Sequence, residues 1–262
     1  MDKLSRTVKR TLTNEEIVRM YESGERTVVI AEKANVSARY IRNILQSENV
    51  EMRKRGSWRR KYEVNEDYFK TWSRNMAYIL GFFAADGTVS NQLQSISFSQ
   101  KEKGILIRIK EELGSDHKII ENNAGVHSLV VFSKIMKSDP KEIHGFTNNK
   151  SRSIKMPKVP REYQSDFFRG YFDGDGCIYA DKRFVNIVGG SLDFLRSISE
   201  MLQTHGIQSV IKTFDSYYRI YISGNEAERL FYWMYDEKEL YLERKFVRFE
   251  NVIKKFEKKN KG

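Results

Sequence analysis

The chain is 262 residues long, enough for one large domain or two smaller ones around a substantial core. At 40% hydrophobic and 31% charged its composition is ordinary for a globular protein, which argues against wholesale disorder. Its 46 Lys+Arg against 35 Asp+Glu leave a net charge of +11, and a surplus of that size points to a polyanion whose condensed counterions are released on binding.

A single cysteine, Cys177, excludes a disulfide framework and a cysteine-rich zinc site, and His117, His127, His144 and His205 lack ligand spacing. No apolar run reaches membrane-span length, and neither a hydrophobic signal core nor a lipidation signal is present. No membrane partner is therefore expected; the expected setting is cytoplasmic and associated with DNA.

Thr13 with Glu16 three residues on has the form of a capping box and opens a helix carrying Ile17, Val18, Met20 and Tyr21, which stops near Gly24. A second helix starts at Thr27 with Val28, Ile30 and Ala31 as its apolar positions. Asn35 suits a left-handed turn, and Ser37 caps a third helix whose apolar side is Tyr40, Ile41, Ile44 and Leu45. A plain three-helix bundle would share these features. The short helix, tight turn and alanine at the crossing instead resemble the helix-turn-helix of resolvases and invertases over residues 12–50. That resemblance implies a small all-α DNA-binding domain over residues 1–52, with Arg39, Tyr40, Arg42 and Asn43 on the reading helix. Residues 53–75 are expected to be a basic linker, in which Arg53, Arg55, Arg59 and Arg60 contact phosphates and Trp58 interrupts the charges.

The remainder contains an internal repeat. Residues 79–87 (ILGFFAADG) and 168–176 (FRGYFDGDG) share one pattern, and each is followed by two β-prone stretches, an amphipathic helix and two further strands. The first copy continues through Thr88-Val89, Ile96–Phe98, 105–113, 118–120 and 128–132. The second continues through 177–179, 184–188, 192–202, 210–212 and 218–222. Gly81 and Ala85 lie four apart, as do Gly170 and Gly174, so each pair shares a helix face and lets a neighbouring backbone approach. Each helix then ends Asp-Gly, with Gly87 or Gly176 expected as a left-handed C-cap. An aspartate at an already negative helix end is electrostatically unfavourable, and if the helices pack side by side, two such carboxylates raise each other's pKa or demand a cation. Oxygen-only ligands select a hard ion such as Mg²⁺, with Mn²⁺ as substitute.

At these residues the chain resembles the LAGLIDADG homing endonucleases of the single-chain, two-motif type, over about residues 64–258. The resemblance implies an α+β fold of two pseudo-symmetric αββαββα repeats, 76–162 and 163–262, with curved antiparallel sheets laid in the DNA major groove. It also implies a monomer with internal pseudo-two-fold symmetry that cuts both strands of double-stranded DNA at a long asymmetric site, as in intron homing. Asp86 and Asp175, with Gly87 and Gly176, take the metal positions. Gln100 falls where the family places a polar side chain near the attacking water, with Gly189 as its counterpart, and Lys150 and Lys245 resemble lysines beside the active site. Ala84 departs from an acidic residue common in the family, which Asp173 keeps. The competing readings are a non-cleaving LAGLIDADG DNA-binding regulator and a maturase whose partner is intron RNA.

Overall fold

The computed structural model describes residues 10–52, 62–146 and 153–260, with no account of the side chains of 258–260. The chain divides into two compact units, Met1–Lys61 and Tyr62–Gly262.

In the first unit, α1 (Asn14–Glu22), α2 (Thr27–Ala34) and α3 (Ala38–Ser47) follow the cap residues. The Thr13 side chain accepts from the Glu16 N–H while the Glu16 carboxylate accepts from the Thr13 N–H, so two helix-end donors are satisfied at once. Asn35 takes the left-handed conformation at φ 56, ψ 41, and the Ser37 hydroxyl accepts from the Tyr40 N–H. Ile17, Tyr21, Ile30, Ala34, Ile41 and Leu45 close a core of their own. Tyr40 corrects the sequence reading: it is 46% exposed. One residue before Ile41, it is turned about 100° away from the buried stripe.

The second unit begins earlier than the sequence implies. Residues 62–75, expected as linker, are folded onto it through a 3₁₀ turn (Tyr68–Lys70) whose Phe69 is wholly buried in the main core. Two repeats follow: α4 (Arg74–Asp86), β1 (Gly87–Val89), β2 (Ser95–Gln100), α5 (Lys103–Glu112), β3 (Ile119–Glu121), β4 (His127–Phe132) and α6 (Lys134–Glu142); then α7 (Gln164–Asp175), β5 (Gly176–Ile178), β6 (Phe184–Gly189), α8 (Leu192–Thr204), β7 (Val210–Thr213), β8 (Tyr218–Ser223) and α9 (Asn225–Tyr235). A last helix, α10 (Glu243–Asn260), lies outside the repeat. The two four-stranded sheets are antiparallel and ordered alike, β1-β2-β4-β3 and β5-β6-β8-β7. Alternation places Ile96, Phe98, Leu129 and Val131 of one sheet, and Val185, Ile187, Ile220 and Ile222 of the other, in the core. Helices α4 and α7 run through the middle. Residues 76–84 of α4 are buried without a break, which a helix tolerates only when apolar on all sides. Helix α7 buries Asp166, Arg169 and Asp173 as well, and these charges need partners. No helix among the described residues is long and apolar enough to cross a membrane.

Candidate active site

The site is built where α4 and α7 meet. A Cβ added to Gly81 would lie 1.9 Å from the Phe167 carbonyl oxygen, and one on Gly170 would lie 2.0 Å from that of Tyr78. Phe167 and Tyr78 each precede their own helix's glycine by three residues, so the contact is reciprocal and the two helices are related by a pseudo-two-fold. Gly174 extends the contact, its missing Cβ falling 2.3 Å from the Ala85 Cβ. The small residues of the repeat therefore serve the close approach expected of them.

This approach brings the helix ends together. Asp86 and Asp175 are the last residues of α4 and α7, both half-buried. The Asp86 Oδ2 atom lies 3.3 Å from where a Gly174 Cβ would be, so its carboxylate covers the last turn of α7, one residue from Asp175. The glycines that follow are not left-handed caps. Gly87 (φ −75, ψ 154) and Gly176 (φ −81, ψ 149) are extended because β1 and β5 begin there at once. They are glycines for space, since a Cβ would sit 2.1 Å from the Phe83 ring or 2.3 Å from the Phe172 ring.

Around the pair the halves differ. Gln100 ends β2 and its Nε2 reaches Asp86 Oδ2 at 3.4 Å. Gly87 pairs with Phe98 and Gly176 with Ile187, which makes Gly189 the positional equivalent of Gln100, so the second half carries no amide side chain at that position. In its place Tyr171, one turn before Asp175 on α7, hydrogen-bonds the carboxylate. Burial first, and Asp175 second, push its hydroxyl well above the ordinary tyrosine value. Tyr171 and Asp175 line a cleft of about 240 Å³ with Gly189, Ser191 and Tyr217.

Lys245, near the start of α10, is the third member. Only 7% exposed, its Nζ donates to the carbonyl oxygens of Phe172 at 2.7 Å and Gly174 at 3.3 Å, where a cation complements the negative end of α7. Burial lowers its pKa to about 8; Asp173 opposes that shift, as do Asp86 and Asp175, while Arg244 adds to it. Its placement depends on the buried charges of α7. Arg169 pairs with Asp166 and donates to the carbonyls of Leu240 and Met234. Asp173 Oδ2 accepts from the Tyr78 hydroxyl and the Leu242 N–H, both at 2.8 Å, and burial pushes this carboxyl up to about 6. These bonds fasten residues 234–242, the segment that delivers Lys245.

Of the residues singled out from sequence, Asp86, Asp175, Gln100 and Lys245 thus converge. Lys150 and Arg53, Arg55, Arg59 and Arg60 lie outside the described residues. Arg39, Tyr40, Arg42 and Asn43 are all exposed on α3 of the other unit. Sequence reasoning missed Tyr171, Tyr78 and Arg169; an arginine and a tyrosine among the phenylalanines of α7, four residues before Asp173 and Asp175, were the available signal. The donors gathered here are hard oxygens. No group of three or more His, Cys, Asp or Glu that could hold a metal is gathered among the described residues. Two carboxylates without a closed cage fit Mg²⁺, which retains waters and takes the rest of its ligands from substrate phosphates.

Residues 73–139 and 162–232 match the LAGLIDADG-like domain. The chain is 27% identical over 167 residues to a component of the A-type ATP synthase of Methanopyrus kandleri, covering 60% of this chain and 15% of that protein. It is 30% identical over 152 residues to the probable translation initiation factor IF-2 of Methanocaldococcus jannaschii, covering 56% of this chain and 12% of that protein. The chain thus spans well under a fifth of the length of these curated relatives. The crystal structure of I-DmoI in complex with DNA and Ca shares the fold at a TM-score of 0.50 and 16% identity, covering 71% of this chain and 98% of that one.

Proposed function

Because this chain belongs to the LAGLIDADG-like domain family, we propose that it is a site-specific double-strand DNA endonuclease of the homing type. The observation that carries the reading is the meeting of Asp86 and Asp175 at the ends of two helices that touch through reciprocal glycines. Divalent metal, when bound, supplies Lewis acidity toward a scissile phosphate. The carboxylates of Asp86 and Asp175 would hold it at the two helix ends. The Gln100 amide, within reach of Asp86, orients a water on the first half-site. Lys245 spends two of its three N–H donors on α7 carbonyls and offers the third to charge developing on the phosphate. The outer faces of the two sheets grip the duplex, and α3 of the first unit, with Arg39, Arg42 and Asn43, adds a flanking contact. An ATP synthase component and an initiation factor have little function in common, so a segment shared by both has the distribution of a mobile insert, which supports homing.

The test is selection of cut sites from a randomised DNA library. Cleavage is expected in Mg²⁺ or Mn²⁺, with binding but little cutting in Ca²⁺. Asp86→Asn and Asp175→Asn are expected to abolish double-strand cutting while keeping specific binding. Specific binding without cleavage under any metal would favour a non-cleaving regulator, and robust cutting in EDTA would reject the assigned site.

A further inference from the structure

The two sheets share a register yet present different chemistry on their outer faces. In the second sheet Arg219 of β8 lies between Val188 of β6 and Lys212 of β7. The same row of the first sheet is Ser128 between Ser99 and Ile120. Both rows face away from the core, because the next residue along the central strand, Ile220 or Leu129, is fully buried. The first row is uncharged and its serines are engaged with each other, Ser99 Oγ to Ser128 Oγ at 3.0 Å. The second carries two cations side by side.

Arg219 is held in a particular way. Its guanidinium carbon lies 5.3 Å from the Phe214 ring and 5.1 Å from that of Tyr217, and those rings stack on each other at 4.8 Å. Aromatic faces attract a cation and fix its plane without consuming its hydrogen bonds. The Tyr221 hydroxyl is its polar neighbour on the same strand. No carboxylate among the described residues forms an ion pair with it. Its Nε–H is shut off from solvent, so the terminal Nη groups are the ones left to meet a ligand. Tyr217, which supports it, also lines the cleft beside Asp175. A planar, oriented fork with no carboxylate on it, held by a ring that borders the Asp175 cleft, matches the O6 and N7 acceptors of guanine in the major groove.

We propose that Arg219 reads a guanine in the half of the target gripped by the second sheet, while the serine row gives the first half no such preference. This assignment rests on the endonuclease reading and sharpens it: base discrimination is concentrated in one half-site. The experiment is selection from a randomised duplex library by the full-length protein in Ca²⁺, followed by affinity measurements across a salt series. The wild type should return a site with one strongly preferred guanine on the side of Asp175 and none at the matching position. Arg219→Ala should flatten that position alone, losing about tenfold to a hundredfold in preference for guanine. Arg219→Lys, which keeps the charge and loses the fork, should keep the salt dependence and still lose the preference, and Ser128→Ala should leave the selected site as it is. A uniform loss of affinity with unchanged base preferences, with a salt slope shallower by about 0.9, would show a phosphate contact and overturn the assignment. Equal guanine preference in both halves would overturn it too. Failure of the wild type to bind any DNA specifically would instead reject the endonuclease reading, and this assignment with it.

Discussion

Replacing Gly170 by alanine tests the central helix pairing quantitatively. The added Cβ would lie 2.0 Å from the Tyr78 carbonyl oxygen, and a real Cβ contact stays above 3.0 Å, so α4 and α7 must part by about 1 Å. The obstacle is backbone and cannot rotate aside. Overpacking of this kind costs about 1–3 kcal/mol, and a rigid obstacle belongs at the upper end. The helix preference of alanine over glycine returns about 1 kcal/mol, leaving a net loss of about 2 kcal/mol. For a unit of this size that lowers Tm by about 4–8 °C. The same displacement separates Asp86 from Asp175, and a misplacement of about 1 Å costs roughly a hundredfold in rate. Gly104→Ala is the control: it is also helical, but nothing lies within 4 Å of its missing Cβ, so its Tm should stay level or rise. Gly81→Ala combined with Gly170→Ala should cost less than the sum, because the first substitution has already opened the contact. Thermal unfolding by circular dichroism and single-turnover cleavage measure both effects. A Gly170→Ala protein that melts within about 1 °C of Gly104→Ala and cuts at the wild-type rate would refute the reasoning.

Lys245→Met should keep the fold, since the stem is apolar and buried, and slow cleavage by about a hundredfold or more with binding unchanged; single-turnover rates equal to wild type would remove Lys245 from the site. A protein starting near Glu63 should still fold and cut at the same phosphates, because the unit 62–262 holds its own core, but bind more weakly and lose protection on one flank; an unchanged footprint and affinity would make the first unit a non-DNA appendage. Burial holds the His144 imidazole, whose Nε2 donates to the Phe69 carbonyl at 2.8 Å, below its ordinary value of 6.5. The unfolded chain therefore takes up a proton that the folded state resists, so this residue's contribution to stability is present above pH 6.5 and lost as the pH falls toward the depressed folded value. His144→Gln should flatten that part of the urea-unfolding profile between about pH 7 and 5, and identical slopes for variant and wild type would contradict the assignment.

The helices of the first unit are legible in the sequence because their signals are local: Thr13 with Glu16, Asn35, and Ser37 each act within one turn. The repeat is legible because strand alternation and small-residue spacing survive in the sequence of both copies. Readings fail where a residue's role depends on the path the backbone takes next or on partners across the fold. Gly87 and Gly176 follow a helix and look like left-handed caps, yet each makes room for a phenylalanine ring one turn earlier, Phe83 or Phe172. The charges of residues 53–61 overshadow Phe69 and Trp72, whose packing into the main core ties the following stretch to the second unit. Arg169 could not be assigned, because its partners are carbonyls 65 and 71 residues away, whereas Tyr171 lies one turn from Asp175 and is marked out only by its burial there.

The glycine contact also acts as a ruler. Gly81 precedes Asp86 by five residues, and Gly170 precedes Asp175 by the same five. Since each notch seats on the other helix's carbonyl, the pair fixes how far either helix can slide, and the equal spacing brings both carboxylates to one height. A one-residue insertion or deletion between notch and aspartate in either copy would displace that carboxylate by about 1.5 Å and swing it about 100° around its helix. Length changes are thus tolerable in the hairpins and loops of this chain but not in those two five-residue stretches, and an exchange of halves between relatives can succeed only where both partners keep the same count.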